Sequence, residues 1–255
     1  MCLIFISVQD HPTYKLIIAA NRDEFYQRKT APASYWRDHP EILGGRDLEA
    51  QGTWMAMNKN GRIAMVTNYR DIRNIKHVAP SRGALVTNFL LDGSSPENYL
   101  GQVESKGQEY NGFNLVVGSG EELWYNSNYK QGVHKLSAGL HGLSNHLLDT
   151  PWPKVERGLD KMKSLLTKPQ LSIDSLFSVL FDDMIAADDK LPDTGVGLER
   201  ERMLSSMFIK SPGYGTRCST VVLIDRDDHV NFSERVFDLQ TFDFTQRDFQ
   251  FDIRQ

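Results

Sequence analysis

Short β-rich runs closed by turn residues and interrupted twice by pairs of helical patterns leave this chain few ways to fold. "CLIFISV" and "KLIIAAN" flank the turn-like "QDHPTY" and read as a first hairpin. "TWMAMN" and "RIAMVTN" flank Lys59, Asn60 and Gly61 and read as a second. Between the hairpins, "LGGRDLEAQGTW" reads as a loop whose glycines mark unusual backbone geometry or a close approach. "SRGALVTNFLLD", with Ser81 as N-cap, and "SPENYLGQVESK", with Ser95 and Pro96 at its start, predict two successive helices. Strand character resumes in "GFNLVVGS", "ELWYNSN" and "VHKLS", before "TPWPKVERGLDKMKSLL" and "SIDSLFSVLFDDM" predict a second helix pair. Leu176, Phe177, Leu180, Phe181 and Met184 form one apolar stripe that belongs in a core. "ADDKLPDTGVG" suggests a long loop able to act as a lid, and "TRCSTVVLIDRDDHVNFSERVF" a last hairpin turning near Asp227 and Asp228, followed by a polar tail. This order predicts an α+β layered protein of antiparallel sheets with helices outside, folded as one domain over residues 1–255.

Composition narrows the function classes. The chain has 255 residues, 40% of them hydrophobic, enough to bury a sizeable core. Its formal net charge of -4 gives no general reason to seek nucleic acid or an anionic membrane. "MCLIFISVQDHP" lacks the basic start of a signal peptide, and no run approaches the roughly 20 apolar residues of a membrane span, so stable membrane insertion is not expected. Two cysteines, Cys2 and Cys218, show no disulfide framework, and a cytoplasmic protein with free thiols is expected.

The chemistry concentrates at the front of the chain. In "LIIAANRDEFYQRKT" an apolar run stops at Asn21, and Asn21, Arg22, Asp23 and Glu24 follow without a gap. Cys2 lies on the neighbouring strand. With Met1 removed, Cys2 would carry both a thiol and an α-amine, and an amine of pKa about 7.7 to 8.0 can serve as its base. Arg22 would favour the thiolate. Against this stands the ordinary behaviour of a cysteine on a β-rich strand, which is to fill a core. Arg22 and Asp23 are the expected site pair, with Asn21 and Glu24 as supports.

Cys2, "AANRDEFYQRKTAPASYW", "ILGGRDLEAQGTWMAMNKNGRIAMVTNYRD", "GLSNHLLDTPWPKVERG" and "YGTRCSTVVLID", in this order over nearly the whole chain, resemble the transport and Golgi organisation protein 2 family, also called the NRDE family. The resemblance implies an N-terminal-nucleophile (Ntn) hydrolase-like fold, a four-layer αββα sandwich of two antiparallel sheets between helical layers. It extends, more distantly, to the cholylglycine hydrolase and penicillin V acylase group, in which a processed cysteine works with an arginine, an aspartate and two asparagines. On that pattern Cys2 is the nucleophile, Arg22 and Asp23 match the next two, and Asn68 and Asn145 match the asparagines. One departure stands out. The hydrolases separate arginine and aspartate by two residues, whereas Arg22 and Asp23 are adjacent, so a continuing strand would point them to opposite faces and leave Glu24 as the alternative carboxylate.

The same family implies a second role, moving haem within cells and handling acyl-coenzyme A and related lipids. On that reading no resident cofactor is required, haem is cargo, and haem donor or acceptor proteins are the expected partners. The ligand-binding candidates are Asn21, Arg22, Glu24, Arg46, Trp54 and Arg70, the arginines pairing with propionates or phosphates. Haem would also accept an axial His, Cys or Tyr, but His141 and His146 are the only close histidine pair and read more readily as surface residues. No metal-site spacing, Walker loop or dinucleotide fingerprint occurs. Haem or lipid-type trafficking is the first expectation, and a Cys2-dependent amidohydrolase the second.

Overall fold

The computed structural model describes residues 2–254. Its first sheet runs in the order β10 (Gly139–Leu143), β1 (Cys2–Val8), β2 (Tyr14–Phe25), β12 (Tyr214–Asp225), β13 (His229–Phe237) and β14 (Phe244–Asp252), with the short β11 (Lys210–Ser211) on β12. The second runs β3 (Thr30–Tyr35), β4 (Ile42–Asp47), β5 (Met55–Asn58), β6 (Ile63–Asn68), β7 (Phe113–Gly118), β8 (Leu123–Ser127) and β9 (Lys130–Lys135). Every strand pairing in both sheets is antiparallel.

Strand alternation sorts the apolar residues into three layers. Ile4, Ile6, Leu16, Ile18 and Val222 meet Leu43, Met55, Met65 and Val116 between the sheets. Leu3, Phe5, Ile17, Ala19 and Val221, of opposite parity, pack under α3 (Pro153–Leu166) and α4 (Ile173–Leu180). Ala64, Val66, Leu115 and Val117 pack under α1 (Arg82–Leu91) and α2 (Pro96–Lys106). The result is the expected αββα sandwich.

Four local expectations need correction. "LGGRD" is not loop but β4, and its glycines are there for close approach: a Cβ on Gly45 would run into the Trp54 ring. The stripe of the second helix pair is shorter than its spacing suggests, because α4 ends at Leu180, leaving Phe181 and Met184 exposed. The polar tail is the edge strand β14, which turns Phe249 and Phe251 onto the inter-sheet core, with Arg247 on the same face reaching the Ala33 carbonyl of β3. "GLHGL" was not expected as a strand and forms β10, the edge on β1. A short α5 (Leu198–Leu204) follows the 185–197 segment.

Candidate functional site

The strand of "LIIAANRDEF" does not end at Asn21; it continues to Phe25. Alternation therefore holds through the tetrapeptide. Arg22 and Glu24 share the inter-sheet parity of Leu16, Ile18 and Ala20, while Asn21 and Asp23 share the helix-facing parity of Ile17 and Ala19. Cys2, in register with Arg22, belongs to the inter-sheet set with Ile4 and Ile6. Cys218 is in register with Arg22 from the other side, so the two thiols flank one arginine. Two strand spacings separate them, roughly 10 Å, beyond the roughly 7 Å reach of a disulfide, and both are free and buried.

A cavity of about 370 Å³ opens where these strand ends meet the start of α1. Cys2, Arg22, Asp23, Glu24, Trp54 and Asn68 line it, as do Arg28, Asp47, Thr53, Ser81 and Arg82. The Arg22 guanidinium sits over the Trp54 ring, 4.2 Å from its centroid, and donates to Thr30 Oγ1 at 3.2 Å. Glu24 lies 4.0 Å from both Arg22 and Arg28, and Arg28 in turn donates twice to Asp47 Oδ2, at 2.9 and 2.7 Å. Arg82 differs from these. Its Nη1 donates to the Gly112 carbonyl at 2.9 Å, and no carboxylate among the described residues lies within 4.0 Å of it. Burial lowers its pKa, with Glu24 and Cys2 acting the other way.

Backbone contact explains how Arg82 reaches the cavity. Gly52 and Gly83 cross so closely that a Cβ on Gly52 would stand 2.5 Å from the Gly83 carbonyl carbon, and Thr53 N donates to Gly83 O at 3.3 Å. This seats the first turn of α1 against the segment leading to Trp54. In the sequence, Gly52 reads as part of a loop and Ser81 as the N-cap of a helix, with nothing linking the two segments. Neither Arg28 nor Arg82 was singled out, although both lie in or beside the motifs that were.

The remaining expected site residues lie elsewhere. Asn21 is buried on the helix side, where its amide donates to the Leu180 and Met207 carbonyls at 2.9 and 2.8 Å and its oxygen accepts from Ser219 Oγ at 2.5 Å. Asp23 borders the cavity at the strand end, but its Oδ1 accepts from Thr216 Oγ1 at 2.7 Å, and burial raises its pKa against the opposing charge of Lys154. Asn145 is fully buried and braces the strand end: its Nδ2 donates to the Asn68 carbonyl at 3.0 Å, and it is not among the lining residues. Arg46 is held by both oxygens of Asp38 and stacks on Trp36. Arg70 forms a buried ion pair with Glu201 at 2.9 Å beside Trp152. His141 bonds Asp149, and His146 bonds Thr150. The segment 187–197, expected as a loop able to act as a lid, contributes no lining residue to the cavity; its Thr194 donates to Glu201 instead. No group of three or more metal-ligating side chains occurs among the described residues.

The arrangement can hold an anion between Arg22 and Arg82, with an indole face alongside and a thiol at the floor. Burial raises the Cys2 pKa, Asp23 adds to that effect and Arg22 opposes it. The thiol is therefore not poised as a thiolate by its surroundings. Met1, whose removal the nucleophile mechanism requires, lies outside the described residues.

The family model for Transport and Golgi organisation 2 matches residues 1–239. A human protein, Transport and Golgi organization protein 2 homolog, is 36% identical over 274 residues, covering 96% of this chain and 99% of its own. The Drosophila melanogaster Transport and Golgi organization protein 2 is 28% identical over 266 residues, covering 92% and 91%. Among solved structures, a Caenorhabditis elegans ortholog of N-acylethanolamine-hydrolyzing acid amidase superposes with a TM-score of 0.49 at 9% identity, covering 88% of this chain and 92% of that one. A mutant conjugated bile acid hydrolase from Clostridium perfringens gives a TM-score of 0.49 at 9% identity, covering 99% and 92%. By the extent of the family match and the full-length human relative, the chain belongs to the Transport and Golgi organisation 2 family.

Proposed function

We propose that the cavity binds the acidic head of an amphipathic small molecule, of haem or acyl-coenzyme A type, and that the protein carries such a ligand between sites and partner proteins in the cell. The observation that supports this most directly is Arg82, a half-buried guanidinium lining a small-molecule-sized cavity without a carboxylate partner among the described residues. A propionate or phosphate would supply that partner, with bidentate geometry open to the guanidinium fork. Arg22 stands across the same cavity and Trp54 offers a flat apolar face. Cys2 is the one lining residue of a type that ligates haem iron. The test is a titration of the purified protein with hemin, followed at the Soret band, and with oleoyl-coenzyme A, followed by calorimetry. Saturable one-to-one binding that Arg82→Ala weakens about tenfold, or about 1.4 kcal/mol, is expected. Absence of saturation with both ligands, or equal affinity in the variant, overturns the reading.

A second reading has its own support. Cys2, Arg22 and Glu24 converge on one face at the cavity floor, the disposition that cysteine-dependent acyl transfer needs. In that reaction the thiolate attacks an amide carbonyl, the amine leaves with a proton, and water releases the acid from the thioester. Cys2→Ser should then abolish turnover of an N-acyl amide while leaving the protein folded, and unchanged turnover rejects it.

A further inference from the structure

Exposed apolar side chains gather at the mouth of the cavity. Leu48 and Val78 are 45% and 93% exposed, and each adjoins a lining residue, Asp47 or Ala79, whereas Phe25, at the end of β2, has the opposite parity to Glu24 and packs edge-on against Tyr214. Ile72 and Ile75 are also exposed, which places three large apolar residues within seven positions of one loop. Single exposed apolar residues are ordinary on protein surfaces, but three in one short loop leading into a cavity wall are not.

The loop is not loosely draped. Asp71 accepts from Arg73 N, Asn74 Nδ2 and Tyr129 OH, and Lys76 N and O exchange hydrogen bonds with the Asn111 side chain at 2.8 and 3.1 Å. Ile72, Ile75 and Val78 are thus held outward by a bonded framework. Basic residues alternate with them. Arg73 and, on the opposite segment beside Arg28, Lys29 are exposed, and neither has a carboxylate within 4.0 Å among the described residues, whereas the Lys76 ammonium donates to the Gln108 and Tyr110 carbonyls.

We propose that this rim docks on the surface of a bilayer containing acidic lipids, with Ile75 and Val78 entering the interfacial region and Arg73 and Lys29 facing the headgroups. Apolar residues interleaved with unpaired cations are the chemistry that such a surface recognises, and the combination gives weak, reversible binding rather than insertion. The overall charge of -4 conceals this local patch. Docked this way, the cavity mouth opens onto the bilayer, so that an acidic head can rise to Arg22 and Arg82 while its apolar tail stays in the lipid. The route for the ligand rests on the proposed function; the docking itself does not.

The experiment is flotation of the full chain with phosphatidylcholine vesicles, with and without 30% phosphatidylserine (about one lipid in three, enough for a strongly anionic surface), at low and high salt. Binding to the phosphatidylserine vesicles that falls about fivefold with Arg73→Glu and is lost in the Ile75→Ser/Val78→Ser double variant is expected. No binding to either vesicle, or binding unchanged by the double variant, overturns the proposal, and the first result would assign the rim to a protein partner. Ligand titration of the double variant without vesicles separates the two ideas. Retained affinity with lost flotation is the docking result, whereas absent affinity in the wild type removes the ligand reading and leaves flotation to judge the rim.

Discussion

The Arg22 guanidinium is stacked 4.2 Å from the centroid of the Trp54 ring, and the same indole is pressed from the other strand by Gly45, where any Cβ would collide with it. Trp54 thus sets the height of the arginine above the cavity floor. A glycine in β4 and a tryptophan before β5 become part of the site without bearing its chemistry.

Gly45→Ala should therefore destabilise the protein by about 1–3 kcal/mol through overpacking. Trp54→Leu should be destabilising on its own, but the two changes together should cost less than their sum, because the smaller side chain gives the new methyl room. Urea unfolding of the four proteins measures the coupling. Strict additivity would mean that Gly45 and Trp54 are not in the contact described.

A pH effect follows from the inter-sheet face of β13. Burial raises the Glu234 pKa to about 7, while its Oε1 accepts from Ala33 N at 2.6 Å. The group is an acid with a folded pKa above its unfolded value near 4.5, so the folded state holds the proton more tightly. Its contribution to stability is fully present below about pH 4.5 and declines as the pH rises to about 7, by roughly 3 kcal/mol in all. Glu234→Gln keeps an oxygen for Ala33 N and removes the titration. The variant should gain stability relative to wild type between pH 5 and 8 in thermal unfolding, and an identical pH dependence in both proteins would contradict the assignment.

Lys154 gives the opposite slope. It is buried under β1 and β2, and burial, followed by repulsion from Arg70, lowers its pKa to about 8, with Asp23 acting against the shift. A base with a depressed folded pKa makes the folded state less stable at pH values where the chain must carry the charge. Stability associated with this group should rise between pH 8 and about 10.5, and Lys154→Met should remove that rise. Denaturation at pH 7.5 and 10 in both proteins provides the check; equal gains on going to pH 10 would place the effect elsewhere.

How much of this was legible in the sequence depends on which distances decide it. Period-two alternation between turn signals was enough for the hairpins β1–β2, β5–β6 and β12–β13, because local pairing follows from neighbours in the chain. β14 was missed because its apolar positions, Phe249 and Phe251, are partly buried against a strand from the other sheet, and its outward positions read as a polar tail. The adjacency of Arg22 and Asp23 did carry the correct warning: a continuing strand splits them, and β2 continues. By contrast, nothing local distinguishes Arg82 from Arg46 or Arg70. All three are arginines near glycines or strand ends, and only the tertiary fold gives Asp38 to one, Glu201 to another and a backbone carbonyl to the third.

That difference yields the last prediction. Arg70 and Glu201 are each about 4% exposed at the side chain, and Thr194 donates to Glu201 through both its backbone N and its hydroxyl. Removing one partner of such a pair leaves a buried charge without compensation and typically costs about 3–5 kcal/mol. Arg70→Met should therefore unfold at a clearly lower temperature, while Arg70→Met/Glu201→Gln should recover part of the loss because the stranded carboxylate is gone. Below its unfolding temperature, Arg70→Met should bind hemin and oleoyl-coenzyme A as the wild type does, since Arg70 does not line the cavity. Arg82→Ala should show the reverse pattern, with ligand affinity reduced about tenfold and a smaller change in stability. If Arg70→Met instead abolished ligand binding in the folded protein, the anion subsite would have to be moved from Arg82 to the Arg70 side of the sheet.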